Sequence, residues 1–123
     1  MKAVLEMLEG LTVDERKNLL ARVAQRDPRL AREIEERIYS FEMIVRLDAA
    51  ELQKLLRETP RPTLALALRS ASEEIQAAVF GNLSVRAADE LREEIRVSGP
   101  RKLSDVRAAQ AAIAELARKY LEK

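Results

Sequence analysis

Apolar residues recur along this chain three and four positions apart, in short runs separated by clear punctuation. Val4, Leu5 and Leu8 mark a first helix from Ala3 to Glu9. Gly10 closes it, as the residue that most cheaply takes the left-handed conformation past a helix end. Thr12 followed by Glu15 spells a capping box, and Leu19, Leu20 and Val23 carry the next stripe to about Gln25. Asp27-Pro28 is a further start signal, with Asp as the N-cap and Pro in the first helical position. The helix it opens places Leu30, Ile34 and Ile38 on one face and Arg32, Glu35, Glu36 and Arg37 on the others.

Ile38-Tyr39-Ser40-Phe41 interrupts this periodicity with an apolar cluster that holds half of the chain's four aromatic residues. A short helix from Glu42 to about Leu47 follows, and Asp48 caps another that contains Leu52, Leu55 and Leu56. Pro60-Arg61-Pro62 is a firm break, because proline removes a donor and restricts the residue before it. Thr63 to Ser70 is nearly all apolar and is predicted to be the central, most buried helix. Ser72 opens a helix with Ile75, Ala78 and Val79, closed by Gly81; Ser84 opens a charged one, stopped by Gly99-Pro100; Ser104 starts a long terminal helix to about Leu121. The pattern predicts an all-α chain of nine helices, three before Phe41 and six after it, joined by short connections.

Composition supports this. Three glycines and four prolines in 123 residues are too few for a turn-rich β fold, and 3% aromatics against 47% hydrophobics implies a core of Leu, Ile, Val and Ala. With 22 basic and 21 acidic side chains the net charge is +1, so no field draws the chain onto a phosphate backbone, and no nucleic-acid partner is expected. The absence of cysteine and histidine removes disulfides, thiolate and imidazole metal sites and His-based catalysis; no cofactor, no metal and no enzymatic activity are expected. No apolar run approaches the roughly 20 residues that span a bilayer, and Met1-Lys2 leads into an amphipathic segment rather than a signal peptide, so the expected location is cytoplasmic.

The segment Phe80 to Ser104 stands out. On a helical wheel of residues 84–97, Ser84, Ala88, Leu91 and Ile95 fall on one side. Arg86, Asp89, Glu90, Glu93 and Arg96 project from the other, with Arg92 and Glu94 flanking the stripe. Arg86 with Glu90, and Glu93 with Arg96, have the spacing of intrahelical ion pairs, which contribute about a few tenths of a kcal/mol each. Periodicity alone leaves open whether this is a solvated face or a docking face. Glu93 and Glu94 diverge by about 100°, too far apart to converge on one metal ion unaided.

Several stretches in order also resemble one family. Arg26-Asp27-Pro28-Arg29-Leu30-Ala31 is similar to its (E/R)-D-P-x-L-A helix start, and Ile38-Tyr39-Ser40-Phe41-Glu42 to its Met-Phe-x-Phe-Glu hinge. Leu47-Asp48 with Leu52 to Glu58, and Leu64-Ala65-Leu66-Ala67-Leu68-Arg69 beside an L-A-L-A-L-K pattern, continue the match. Asn82 to Ala88 resembles N-M-S-x-R-A-A, and Gly99 to Val106 resembles G-P-V-R-L-x-D-V. From Val4 onward the chain looks like the C-terminal part of the flagellar motor switch family FliG.

The resemblance implies an armadillo-like stack of three helices (residues 1–40), a hinge at Ile38, Tyr39, Ser40 and Phe41, and a six-helix bundle (residues 41–123). It implies that the charged helix meets the cytoplasmic loop of the stator protein MotA in torque generation and switching, near the inner face of the cytoplasmic membrane. The family's functional charges fall on Arg69, Arg86, Glu93, Glu94 and Lys102, each with its sign kept. Kept sign with altered shape suits long-range electrostatics better than bidentate recognition. Other switch components, FliM-like, are implied as partners. The family's amino-terminal and middle domains lie outside this sequence, and the residue after Arg69 is Ser70 where the family has glycine. A stand-alone FliG-like scaffold serving outside motility, and a helical cation sensor, are the competing readings. In the family the leading helices are covered by a neighbouring domain, so Val4, Leu5, Leu8 and Leu11 are expected either to meet a second copy or a partner, or to fold back onto Leu19 and Leu20.

Overall fold

The computed structural model describes residues 2–122. Within them the chain forms α1 (Lys2–Glu9), α2 (Val13–Arg26), α3 (Pro28–Ile38), a 3₁₀ helix (Phe41–Arg46), α4 (Ala49–Glu58), α5 (Arg61–Leu68), α6 (Glu73–Gly81), α7 (Val85–Val97) and α8 (Leu103–Leu121). No strand occurs among the described residues. The all-α fold read from the sequence is the observed one.

Most helix starts are local chemistry. Thr12 and Glu15 exchange side-chain and backbone hydrogen bonds at 2.9 and 3.1 Å, and Asp48 and Glu51 do the same at 3.1 and 2.8 Å, two complete capping boxes. Asp27, Ser72 and Ser84 accept from the amides of Leu30, Ile75 and Ala87 and close the starts of α3, α6 and α7. Two starts differ from the expectation. α5 begins at Arg61 rather than Thr63, because Pro62 in the first turn lacks only an N–H that would have had no intrahelical partner there. α8 begins at Leu103 with Lys102 as N-cap, so Ser104 lies inside the helix; the Lys102 carbonyl accepts from Asp105 and Val106 at 3.0 and 3.1 Å.

The glycines also differ from expectation. Only Gly99, with φ +68°, takes the left-handed conformation among the described residues. After α1 the chain instead tightens, with Gly10 and Leu11 donating to the carbonyls of Met7 and Leu8 at 3.2 and 3.1 Å. Gly81 is the last residue of α6 itself.

The buried side chains form two clusters. Leu8, Leu20 and Ile34 make the smaller, with Leu5, Leu11, Leu19, Val23 and Ile38 packed around it. The larger runs from Phe41 through Leu52, Leu55, Leu64, Leu68, Val79 and Leu91 to Ile113 and Ala117. α5 lies at its centre, as the apolar run predicts, packed mainly on α8 and α7. The 19-residue α8 touches the 3₁₀ helix, α4 and α5, and its end reaches α3 and α2 through Arg118–Glu35 (3.5 Å) and Lys17–Glu122 (3.8 Å).

The leading helices resolve one of the expectations above. Leu8 is buried and Leu5 and Leu11 are half-buried within the chain, so they fold back onto Leu20 and Ile34. Val4 stays exposed, joined by Met7 and Leu30, over an apolar hollow of about 220 Å³ walled by Leu19, Leu20 and Val23.

Candidate protein-interaction face on the charged helix

The buried stripe of α7 is narrow. Ala88 and Leu91 are buried and Ile95 packs against the large cluster, so about two thirds of the circumference faces outward. On that outer surface Arg86 is 90% exposed and bonds Glu90 at 3.2 Å. Glu90 also meets Arg61 of α5 at 3.7 Å. Arg92 pairs with Asp89 at 3.6 Å, and its guanidinium lies 4.3 Å from the centroid of the Phe80 ring. Arg96 grips both carboxylate oxygens of Glu93, and this hydrogen-bonded pairing, more than charge alone, holds the Glu93 carboxyl below its ordinary pKa.

Glu94 is different. It is half-buried, turned away from Glu93, and is the one carboxylate of α7 with no ion-pair partner among the described residues. It lines a groove of about 530 Å³ between α5, α7 and α8, whose alanine floor (Ala65, Ala109, Ala112) is rimmed by Glu94, Arg101 and Asp105. Asp105 and Arg101 are also without ion pairs there. The five charges singled out from the sequence thus occupy different settings. Arg86 and Glu93 are outward and self-paired, Glu94 edges the groove, and Lys102 is exposed at the start of α8. Arg69 is half-buried at the end of α5, with Nη1 on the Ile95 carbonyl (3.2 Å) and on Ser98 Oγ (2.6 Å).

Arg61, Arg92, Arg101 and Asp105 were not singled out from the sequence. Only the i,i+3 spacing of Asp89 and Arg92 offered a local signal; the rest join the face through contacts between separate helices.

At 38–41, Ile38 packs on the small cluster and Phe41 is buried in the large one, three residues apart. Ser40 precedes the 3₁₀ helix in extended conformation without a side-chain cap bond. Tyr39 is buried, and beside it a groove of about 610 Å³ opens between α3 and α8. No group of three or more acidic side chains positioned to hold a metal ion occurs among the described residues, and no helix there is long and apolar enough to cross a membrane.

The family model of the FliG C-terminal domain matches residues 21–123. Flagellar motor switch protein FliG of Bacillus subtilis is 38% identical over 122 residues, 99% of this chain and 36% of that protein. FliG of Thermotoga maritima is also 38% identical, over 95% of this chain and 35% of its own length. Full-length FliG from Aquifex aeolicus superposes with a TM-score of 0.90 at 30% identity, covering 98% of this chain and 38% of that one. A Helicobacter pylori FliG fragment (residues 116–343) superposes at 0.71 with 33% identity, covering 95% of this chain and 52% of that one. The chain spans about a third of the length of the curated relatives it matches.

Proposed function

The chain belongs to the FliG C-terminal domain family, a family of motor-switch proteins and not of enzymes, and from that premise we propose that α7 docks the cytoplasmic loop of a MotA-like stator protein. In this reading Arg86, Glu93 and Glu94 present charge to the loop, with Arg69 and Lys102 flanking, and the contact serves torque generation and switching in the cytoplasm beside the inner membrane. The observation that carries it is the contrast along α7: its other carboxylates are satisfied by neighbouring arginines, whereas Glu94 stands unpaired at the rim of a groove. An unpaired carboxylate beside apolar surface gains more from an incoming cation than one already neutralised.

Charge reversal tests it. Glu94→Arg and Arg86→Glu should each weaken binding to the isolated stator loop, and a reversed charge on the loop should restore part of the loss. Binding unaffected by either reversal would remove α7 as the docking element.

Residues 1–40 and 41–123 are proposed as separately packed units turning about 38–41, supported by the two hydrophobic clusters that meet there. The apolar face of Val4, Met7 and Leu30 is the proposed contact for a FliM-like switch component or for a second copy through the first two helices. Sedimentation from micromolar to millimolar concentration, with Met7→Glu as the control, decides between these: a strict monomer excludes the second copy.

A further inference from the structure

We infer that Arg69 is a positioning residue, which fixes the C-terminal turn of α7 from the end of α5 instead of offering its charge to a partner. The Ile95 carbonyl is one of the last four of α7, which have no amide partner inside the helix. Arg69 Nη1 donates to it at 3.2 Å, and Ser98 Oγ donates to it at 2.9 Å while itself lying 2.6 Å from the same Nη1. A cation, a hydroxyl and an orphan carbonyl therefore close a small ring at the negative end of the helix dipole, where positive charge is favoured.

The anchor of this ring is stiff. Arg69 follows Leu68, which is fully buried on the central helix, and its own amide donates to Leu66 at 3.3 Å. Just past the ring, Gly99 turns left-handed and Pro100 ends the segment, so nothing helical beyond Ser98 supports the last turn of α7. That turn carries Glu94 at the groove and Arg96 with Glu93 on the outer face. Holding Ile95 and Ser98 thus sets the direction of these charges, while Arg69 itself is half-buried where Arg86 is 90% exposed. This rests on the docking reading only for its functional consequence; the clasp is a statement about the folded chain.

Amide hydrogen exchange on the whole chain tests the clasp without any partner. Arg69→Met should speed exchange by about tenfold at the last-turn amides of α7 and at Ser98, with α5 and α8 unchanged. Ser98→Ala should act at the same amides, and the double variant should add little, because both remove one ring. Arg69→Lys, which keeps a cation with donors for both acceptors, should restore most of the protection. An Arg69→Met variant with unchanged exchange at these amides, or with exchange raised evenly along the chain, overturns the clasp.

Titration with the stator loop as probe separates positioning from charge presentation. Arg69→Met should lower affinity about three- to tenfold with an unchanged salt dependence, whereas Arg86→Met should flatten the salt dependence. A flattened salt dependence in Arg69→Met overturns the positioning role. If the loop binds neither wild type nor variant, the docking proposal fails, and the exchange pattern still decides the clasp.

Discussion

Arg118, near the end of the last helix, lies over the ring of Tyr39, its guanidinium carbon 4.8 Å from the ring centroid. The same guanidinium bonds Glu122 at 2.6 Å and reaches Glu35 of α3 at 3.5 Å, and Glu122 in turn meets Lys17 of α2 at 3.8 Å. Arg118 and its partner Glu122 therefore tie the end of α8 to α2, α3 and Tyr39, across the 38–41 segment.

Replacing Arg118 with Met should release this tie. The side chain is about one-third exposed, so solvent screening limits the global loss to about 1 kcal/mol. The larger effect should be local, with faster hydrogen exchange in α2 and α3 than in α5. Small-angle scattering that shows a broader distribution of shapes for the variant would accompany it; identical exchange in all helices would exclude the tie.

Glu58 on α4 accepts from Lys119 Nζ and the Tyr120 hydroxyl, each at 2.7 Å, and these bonds hold its carboxyl below the ordinary range, the lysine contributing most. A depressed folded-state pKa gives stability that is complete above the unfolded value, about 4.3, and disappears as pH falls through the lower folded value. The partners respond at the other end: hydrogen bonding to Glu58 raises the pKa of both Lys119 and Tyr120, so their share is complete below about pH 10 and fades as pH rises through the raised values. Urea unfolding of wild type and Glu58→Gln should therefore differ at pH 7 and converge as pH falls below the unfolded value of about 4.3 and through the lower folded one.

Leu91 is fully buried on the inner stripe of α7, and Val85 on the same helix is 80% exposed. Leu91→Ala should cost about 2–5 kcal/mol through lost burial and the cavity left behind. Val85→Ala should stay within about 0.5 kcal/mol. Chemical denaturation of both variants checks this, and equal losses would mean that α7 is packed by a different face.

Gly99 and Gly81 should not behave alike. At Gly99 the positive φ makes Gly99→Ala destabilising by about 1–2 kcal/mol, even though open space surrounds the added methyl. Gly81 ends α6 without that conformation and with nothing within 4 Å of an added Cβ, so Gly81→Ala should gain about 0.5 kcal/mol by restricting the unfolded chain. Thermal unfolding of the pair reads the opposite signs directly.

Where a helix starts by its own chemistry, the sequence was enough. Thr12 with Glu15, Asp48 with Glu51, Ser72 and Ser84 cap helices because the acceptor and amide lie within three residues of each other. The buried stripes of α4, α5 and α7 were legible for the same reason, since periodicity records which side of a helix turns inward. Ion pairing of Arg86 with Glu90 and of Glu93 with Arg96 followed from spacing alone.

What lay beyond local reach was the use of each charge. The family resemblance put Glu94 among the central charges and Arg69 beside them, yet packing of α5 against α7 spends Arg69 on a carbonyl and leaves Glu94 unpaired at a groove. Arg61 likewise meets Glu90 and Arg118 reaches Glu35, each on a helix distant in sequence, and Asp105 takes its surroundings from the walls of a groove. The sequence by itself thus determined the helices, their inner faces and the family. Only the tertiary structure decided which charges are free, because freedom depends on which helix ends meet, and no short-range pattern encodes that distance.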